Sequence, residues 1–174
     1  MNKIKIVGMI VLILSISLAM LSSYISNENK VNNKLLETIN KQKEFTQEIS
    51  KNIFYIYKNK NSSTAQLDES IKNFLENMRN RDNTLNEIPS KDIKKQSDKI
   101  VVLWNKFYLD VQKFRNQNKI SSPYGSILLE KTVNNIYTIN LKLIVEFNKL
   151  ILIHKGYFHN VLHNHRVLQY TLFF

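Results

Sequence analysis

The stretch LLETINKQKEFTQEISKNIFYI, residues 35–56, decides how this chain folds. Leu35, Ile39, Ile49, Ile53 and Ile56 fall on the 4-3 spacing that gathers apolar side chains on one face of a helix. Carried across the gap between Ile39 and Ile49, the same spacing lands on Gln42 and Thr46. The seam is therefore a heptad pattern with a polar interruption at two consecutive positions. Polar groups in an apolar interface cost stability unless they are partnered. Two explanations suit such a layer: it fixes the register of the packing, or it holds a small polar or anionic ligand. Lys43 neighbours Gln42 and can reach the seam edge, and Lys41 lies on its other side. Lys41, Gln42, Lys43 and Thr46 are the candidate ligand-binding residues.

Upstream of the seam, Lys3 and Lys5 precede an apolar run from Ile6 to Leu21, extended through Tyr24 and Ile25 with only serines interrupting. A bilayer core of roughly 30 Å needs roughly 20 such residues as a helix. The flanking lysines place that end in the cytoplasm and the rest outside it. Ser17-Leu18-Ala19 is a candidate signal cleavage site, but the run is long for a signal peptide, so residues 1–26 are read as a retained anchor.

Downstream, three more helical segments follow. The first starts near Thr64 and turns Leu67, Ile71, Phe74, Leu75 and Met78 inward, with Asn80–Pro89 as a loop. The second is capped by Ser90 and turns Ile93, Ile100, Leu103, Trp104, Phe107, Val111 and Phe114 inward. After a polar loop at Asn116–Ser121, Ser122-Pro123 reads as the cap and first residue of the last helix. Its apolar residues include Leu128, Leu129, Val133, Ile136, Tyr137, Ile139, Leu143, Ile144, Phe147, Leu150 and Ile151. Short connections make neighbours antiparallel, so the expected fold is an all-α, up-down-up-down four-helix bundle over residues 27–166. Arg166 is followed by Val-Leu-Gln-Tyr-Thr-Leu-Phe-Phe, which reads over 167–174 as the start of a truncated second membrane helix.

The composition agrees with this reading and excludes others. The 174 residues hold 3 Gly, 2 Pro and no Cys. That argues against turn-rich β folds, Gly-rich phosphate loops, disulfides and Cys-ligated metals. The net charge of +11 comes from lysines scattered among Asn, Ile and Asp, so it reads as a wet helical surface and not as a nucleic-acid footprint. His159 and His163 share a helix face, but nothing nearby supplies a third metal ligand, and a polar collar near the membrane explains them better. Asp68, Glu69 and Glu76 read as the wet side of their helix. No Gly-rich phosphate loop, nucleophile elbow or metalloprotease helix is present in the sequence, so the chain is read as a non-enzyme that needs no cofactor.

The segment Lys41-Gln-Lys-Glu-Phe-Thr-Gln-Glu-Ile-Ser-Lys51 resembles the first-helix motif of the N-terminal sensor domain of type IV pilus chemoreceptors, a family that includes nitrate/nitrite sensor kinases. The pair Trp104 and Phe107 resembles the W-x-x-F of that family's third helix, and Ile127-Leu128-Leu129 with Val133 resembles the start of its fourth. The resemblance implies an extracytoplasmic sensor bundle in the cell membrane, working as a homodimer. It implies an anion site on the first helix at the position of Lys43. Here Asn40 stands for the motif's Gly, Lys41 and Lys43 for Arg, and Glu44 and Glu48 add negative charge. Lys lacks the planar fork of Arg, and the glutamates oppose an anion. The reading that follows is a sensory input domain of a chemoreceptor or sensor-kinase type, binding a small ligand at a helix-1 dimer seam and carrying no output module of its own. The alternative is an anchored structural bundle that assembles with another membrane protein.

Overall fold

A computed structural model describes residues 2–59, 62–85, 88, 90–118 and 123–173. It contains four α-helices, α1 (Asn2–Lys58), α2 (Ala65–Leu85), α3 (Lys91–Gln117) and α4 (Pro123–Phe173), and no strand among the described residues. The chain divides into two compact units, one of Leu35–Ile153 and one of Met1–Lys34 with His154–Phe174.

In the larger unit the α1 seam is buried along its whole length. Leu35, Ile39, Gln42, Thr46, Ile49, Ile53 and Ile56 are all at most 2% exposed. The heptad spacing explains this, because each seam residue returns to the same face every two turns. From α2 come Leu67, Ile71 and Phe74, from α3 Ile93, Ile100, Trp104, Phe107, Val111 and Phe114, and from α4 Leu129, Val133, Ile136, Ile139, Leu143, Phe147 and Leu150. The Phe74 and Trp104 rings stack with centroids 3.4 Å apart, and Phe107 lies 5.6 Å from Trp104.

Local chemistry sets the helix ends. The Thr64 carbonyl accepts from the Asp68 N–H at 2.9 Å, so Thr64 stands at the start of α2 as expected. Its hydroxyl, however, donates to the Asp68 carboxylate, and it is Ser63 Oγ that accepts from the Ala65 N–H. Ser90 caps α3, its Oγ accepting from the Ile93 N–H at 3.4 Å. The expected caps and turn at Pro89 and Ser122 lie outside the described residues.

Two sequence expectations need correction. The loop expected over Asn80–Pro89 is helical as far as Leu85. Arg81 is the reason: it is buried and held by α1, so the helix is kept past its polar sequence. Leu75, expected inside, is 44% exposed. It is one position past the buried row, because Phe74 already occupies the inward slot and the next residue is turned about 100° away. Met78, Leu103, Leu128, Ile144 and Ile151 are half-buried at the edge of the core.

The smaller unit has the opposite character. Val7, Met9, Ile10, Val11, Leu12, Ile13 and Ile16 all expose about half or more of their surface. Among the described residues α1 is the one helix long and apolar enough to cross a membrane, through this stretch near its N-terminus. Within the same unit Tyr24 packs edge-on against His165, with ring centroids 4.9 Å apart, and His154 packs against Phe158 at 4.7 Å.

Candidate functional site

The polar break of α1 lies inside the larger unit. Gln42 and Thr46 are both fully buried. Gln42 Oε1 accepts a hydrogen bond of 3.0 Å from Arg81 Nη1 of α2, which is itself 1% exposed. The Gln42 Nε2 group is buried and has no hydrogen-bond partner among the described residues. Thr46 turns its hydroxyl back onto its own helix, donating to the Lys43 carbonyl at 2.8 Å. This is the local bond that Ser and Thr use when a helix interior offers no better acceptor.

The two lysines part company. Lys43 is half-buried and its Nζ donates to Asn148 Oδ1 of α4 at 3.4 Å. Lys41 is exposed and pairs with Glu37 at 2.6 Å. That pairing, first through the hydrogen bond and then through charge, holds the Glu37 carboxyl below and the Lys41 ammonium above their ordinary values. The structure thus brings Gln42, Thr46 and Lys43 together around one level of the core and leaves Lys41 outside it.

Arg81 is the residue the sequence reading missed. A signal was present: Leu67, Ile71, Phe74 and Met78 step by 4, 3 and 4 residues, and the next step of 3 lands on Arg81. A guanidinium offers five donors in a fixed fork and cannot lose its charge, so it suits a planar oxyanion or an amide oxygen.

A second polar level lies between α3 and α4. Gln96 Nε2 donates to the Glu146 carboxylate at 2.6 Å and to the Glu146 carbonyl at 3.0 Å. Lys149 binds the other carboxylate oxygen at 2.7 Å. Lys149 first, and Gln96 second, hold the Glu146 carboxyl below its usual range. Further polar ties are Asn52 to Ser70 at 3.3 Å, Thr132 to Gln117 at 2.8 Å, and Arg115 to Asp68.

The histidines do not gather. His159 and His163 are exposed, His154 is fully buried, and no group of three metal-binding side chains occurs among the described residues. Neither ring nitrogen of His154 makes a hydrogen bond of ordinary geometry with a described residue. Burial pushes its pKa down, and the backbone of Asn32 opposes this weakly. No family model, curated protein or solved structure matches this chain.

Proposed function

We propose that this chain is the membrane-anchored input domain of a signalling receptor, chemoreceptor or sensor-kinase in type. Residues 1–26 cross the cell membrane, residues 27–166 form an extracytoplasmic bundle, and the apolar residues 167–174 return toward the bilayer. The bundle runs up-down-up-down. Four sets of polar and aromatic ties support that topology. Gln42 meets Arg81 while Asn52 meets Ser70, so α2 descends as α1 rises. Phe74 meets Trp104 while Asp68 meets Arg115, and Gln96 meets Glu146 while Gln117 meets Thr132. Lys43 meets Asn148, and one groove is lined by both Lys58 and Glu130.

The observation that carries the sensory reading is the fully buried Gln42–Arg81 pair between α1 and α2. Beside the buried Arg81 guanidinium, the Gln42 Nε2 group, without a partner among the described residues, presents a donor to a small oxyanion or polar ligand. Lys43, at the edge of the same level, adds a cation. A ligand drawn into this level would bias α1 against its neighbours, and shifts of roughly 1–2 Å are the usual scale for packed helices. The test is thermal unfolding of the full chain in phosphatidylcholine nanodiscs with nitrate, nitrite and small organic acids at constant ionic strength. Binding to the folded state raises Tm in a saturable way. No shift with any of them would overturn the reading.

A second reading, an anchored bundle that assembles with a partner protein or a second copy, is favoured by one face of α4. Ile127, Leu141, Val145 and Leu152 are each 48–69% exposed. At 100° per residue they fall on the side opposite the buried row. Sedimentation of the nanodisc-free chain at increasing concentration, with Leu141→Lys as the control, tests self-association through this face.

A further inference from the structure

In the larger unit a groove of about 570 Å³ with an apolar floor lies between α1 and α4. Its floor is Ile53, Val133 and Ile136, each at most 6% exposed. Asn140 lines it too, 5% exposed, and its Oδ1 is buried with no hydrogen-bond partner among the described residues. An orphaned buried acceptor is costly, and a ligand N–H is the natural way to satisfy it. The α1 wall carries Lys51 and Lys58, and the α4 wall carries Glu130. None of these three charges forms an ion pair within 4.0 Å of a described residue. Lys58 rests instead 5.6 Å over the rings of Phe54 and Tyr57, which stand at the same mouth.

We infer that this groove binds a zwitterion with an apolar body, an apolar amino acid or a short apolar peptide. Its carboxylate meets Lys51 and Lys58, its ammonium meets Glu130, and its apolar part lies on Ile53, Val133 and Ile136. In a peptide, the amide N–H reaches Asn140, about 15 Å along α4 from Glu130. The volume falls within the range of small-molecule sites, which are mostly apolar with a few placed polar groups. Opposite charges on facing walls are what separate a zwitterion from a plain acid or amine. The groove is distinct from the Gln42–Arg81 level, so binding here holds whether or not that level takes an anion.

The experiment is calorimetric titration of the full chain in phosphatidylcholine nanodiscs. The probes are L-phenylalanine and the dipeptide Leu-Phe, with 3-phenylpropionate lacking the amine and phenethylamine lacking the carboxylate. Either zwitterion is expected to bind at least about tenfold tighter than both single-charge compounds. The tighter of the two zwitterions tells a single residue from a peptide. Glu130→Gln should bring phenylalanine down to the level of 3-phenylpropionate. Lys51→Met with Lys58→Met should bring it down to that of phenethylamine. All three side chains are exposed, so helicity and Tm of the variants should match the parent. The inference is overturned if neither zwitterion binds the parent chain. It is equally overturned if the single-charge compounds bind as well as the zwitterions, or if the charge variants bind as the parent does.

Discussion

The two ends of α1 differ both in how many large aliphatic residues they carry, counting Met twelve among residues 4–20 against six among residues 35–56, and in where those residues go. In residues 35–56 the aliphatic side chains of the seam keep a strict spacing and are buried, Leu35 at 0% and Ile53 at 1%. In residues 4–20 they keep no spacing, and Leu12 and Ile16 remain 59% and 48% exposed. A helix with one apolar face needs a protein neighbour, whereas a helix apolar all round needs an apolar solvent. The period and the apolar content together separate the part of α1 that builds a core from the part proposed to sit in lipid.

That contrast breaks most visibly at the aromatic centre of the larger unit. Trp104→Ala removes a 2% exposed ring stacked on Phe74 and leaves a cavity among helices that cannot fully close. Losing such a side chain costs about 3–5 kcal/mol, which should show as a lower denaturant midpoint with unchanged slope. Leu12→Ala should leave the same transition where it was, since Leu12 packs against no core. A large loss from Leu12→Ala would mean that residues 4–20 belong to a protein interior after all.

The reverse experiment charges the N-terminal half. Leu12→Arg places a guanidinium in the middle of the proposed span, at a cost of about 3 kcal/mol on insertion scales. The expected outcome is a chain that fractionates away from membranes yet keeps the helical content and denaturant midpoint of residues 35–153. Full membrane retention of Leu12→Arg would remove the proposed anchor.

Much of this contrast was legible in the residues. Every position of the α1 seam was found by spacing alone, because a heptad row survives two polar substitutions without changing face. Arg81 was missed because Asn80, Arg81, Asp82 and Asn83 read as a polar loop, while the long-range bond to Gln42 that holds this turn in the core leaves no local mark. Gln96 and Glu146 were missed for the same reason, their tie being 50 residues long. Leu75 went the other way: pattern gives the direction of a face, but its width is set by neighbours that the sequence does not display. The groove that holds Lys51, Lys58, Glu130 and Asn140 needs two helices at once and could not be read from either.

A smaller effect concerns pH. His154 is fully buried, and burial holds its pKa below the ordinary value near 6.5. The unfolded chain therefore binds a proton at His154 more readily than the folded one, and stability falls as pH drops below about 6.5, levelling off below the folded pKa. Asn32 of α1 is the neighbour that partly offsets the shift, and no charged group contributes to it. Glu146, whose carboxyl is held low by Lys149 and Gln96, acts with the same sign but only below the ordinary carboxylate value near 4.3. Melts between pH 7.5 and 5 should thus show a decline in the parent chain that is reduced in His154→Leu. Parallel curves for the two chains would place the titration elsewhere.

The smallest expected change is also the most useful for the sensory reading. Lys43 donates to Asn148 at 3.4 Å from a half-exposed position, a long bond at the edge of the core. Such a bond contributes less than about 0.5 kcal/mol once solvent competes for both groups. Lys43→Ala should therefore unfold at nearly the temperature of the parent in the absence of anions. Because the substitution is so nearly silent in the free chain, any reduction in the anion-induced rise of Tm belongs to the ligand and not to the fold. Gln42 and Arg81 cannot offer that separation, since removing either disturbs a buried level directly. An anion shift that survives unchanged in Lys43→Ala would restrict the site to the buried pair and leave Lys43 as a surface tie between α1 and α4.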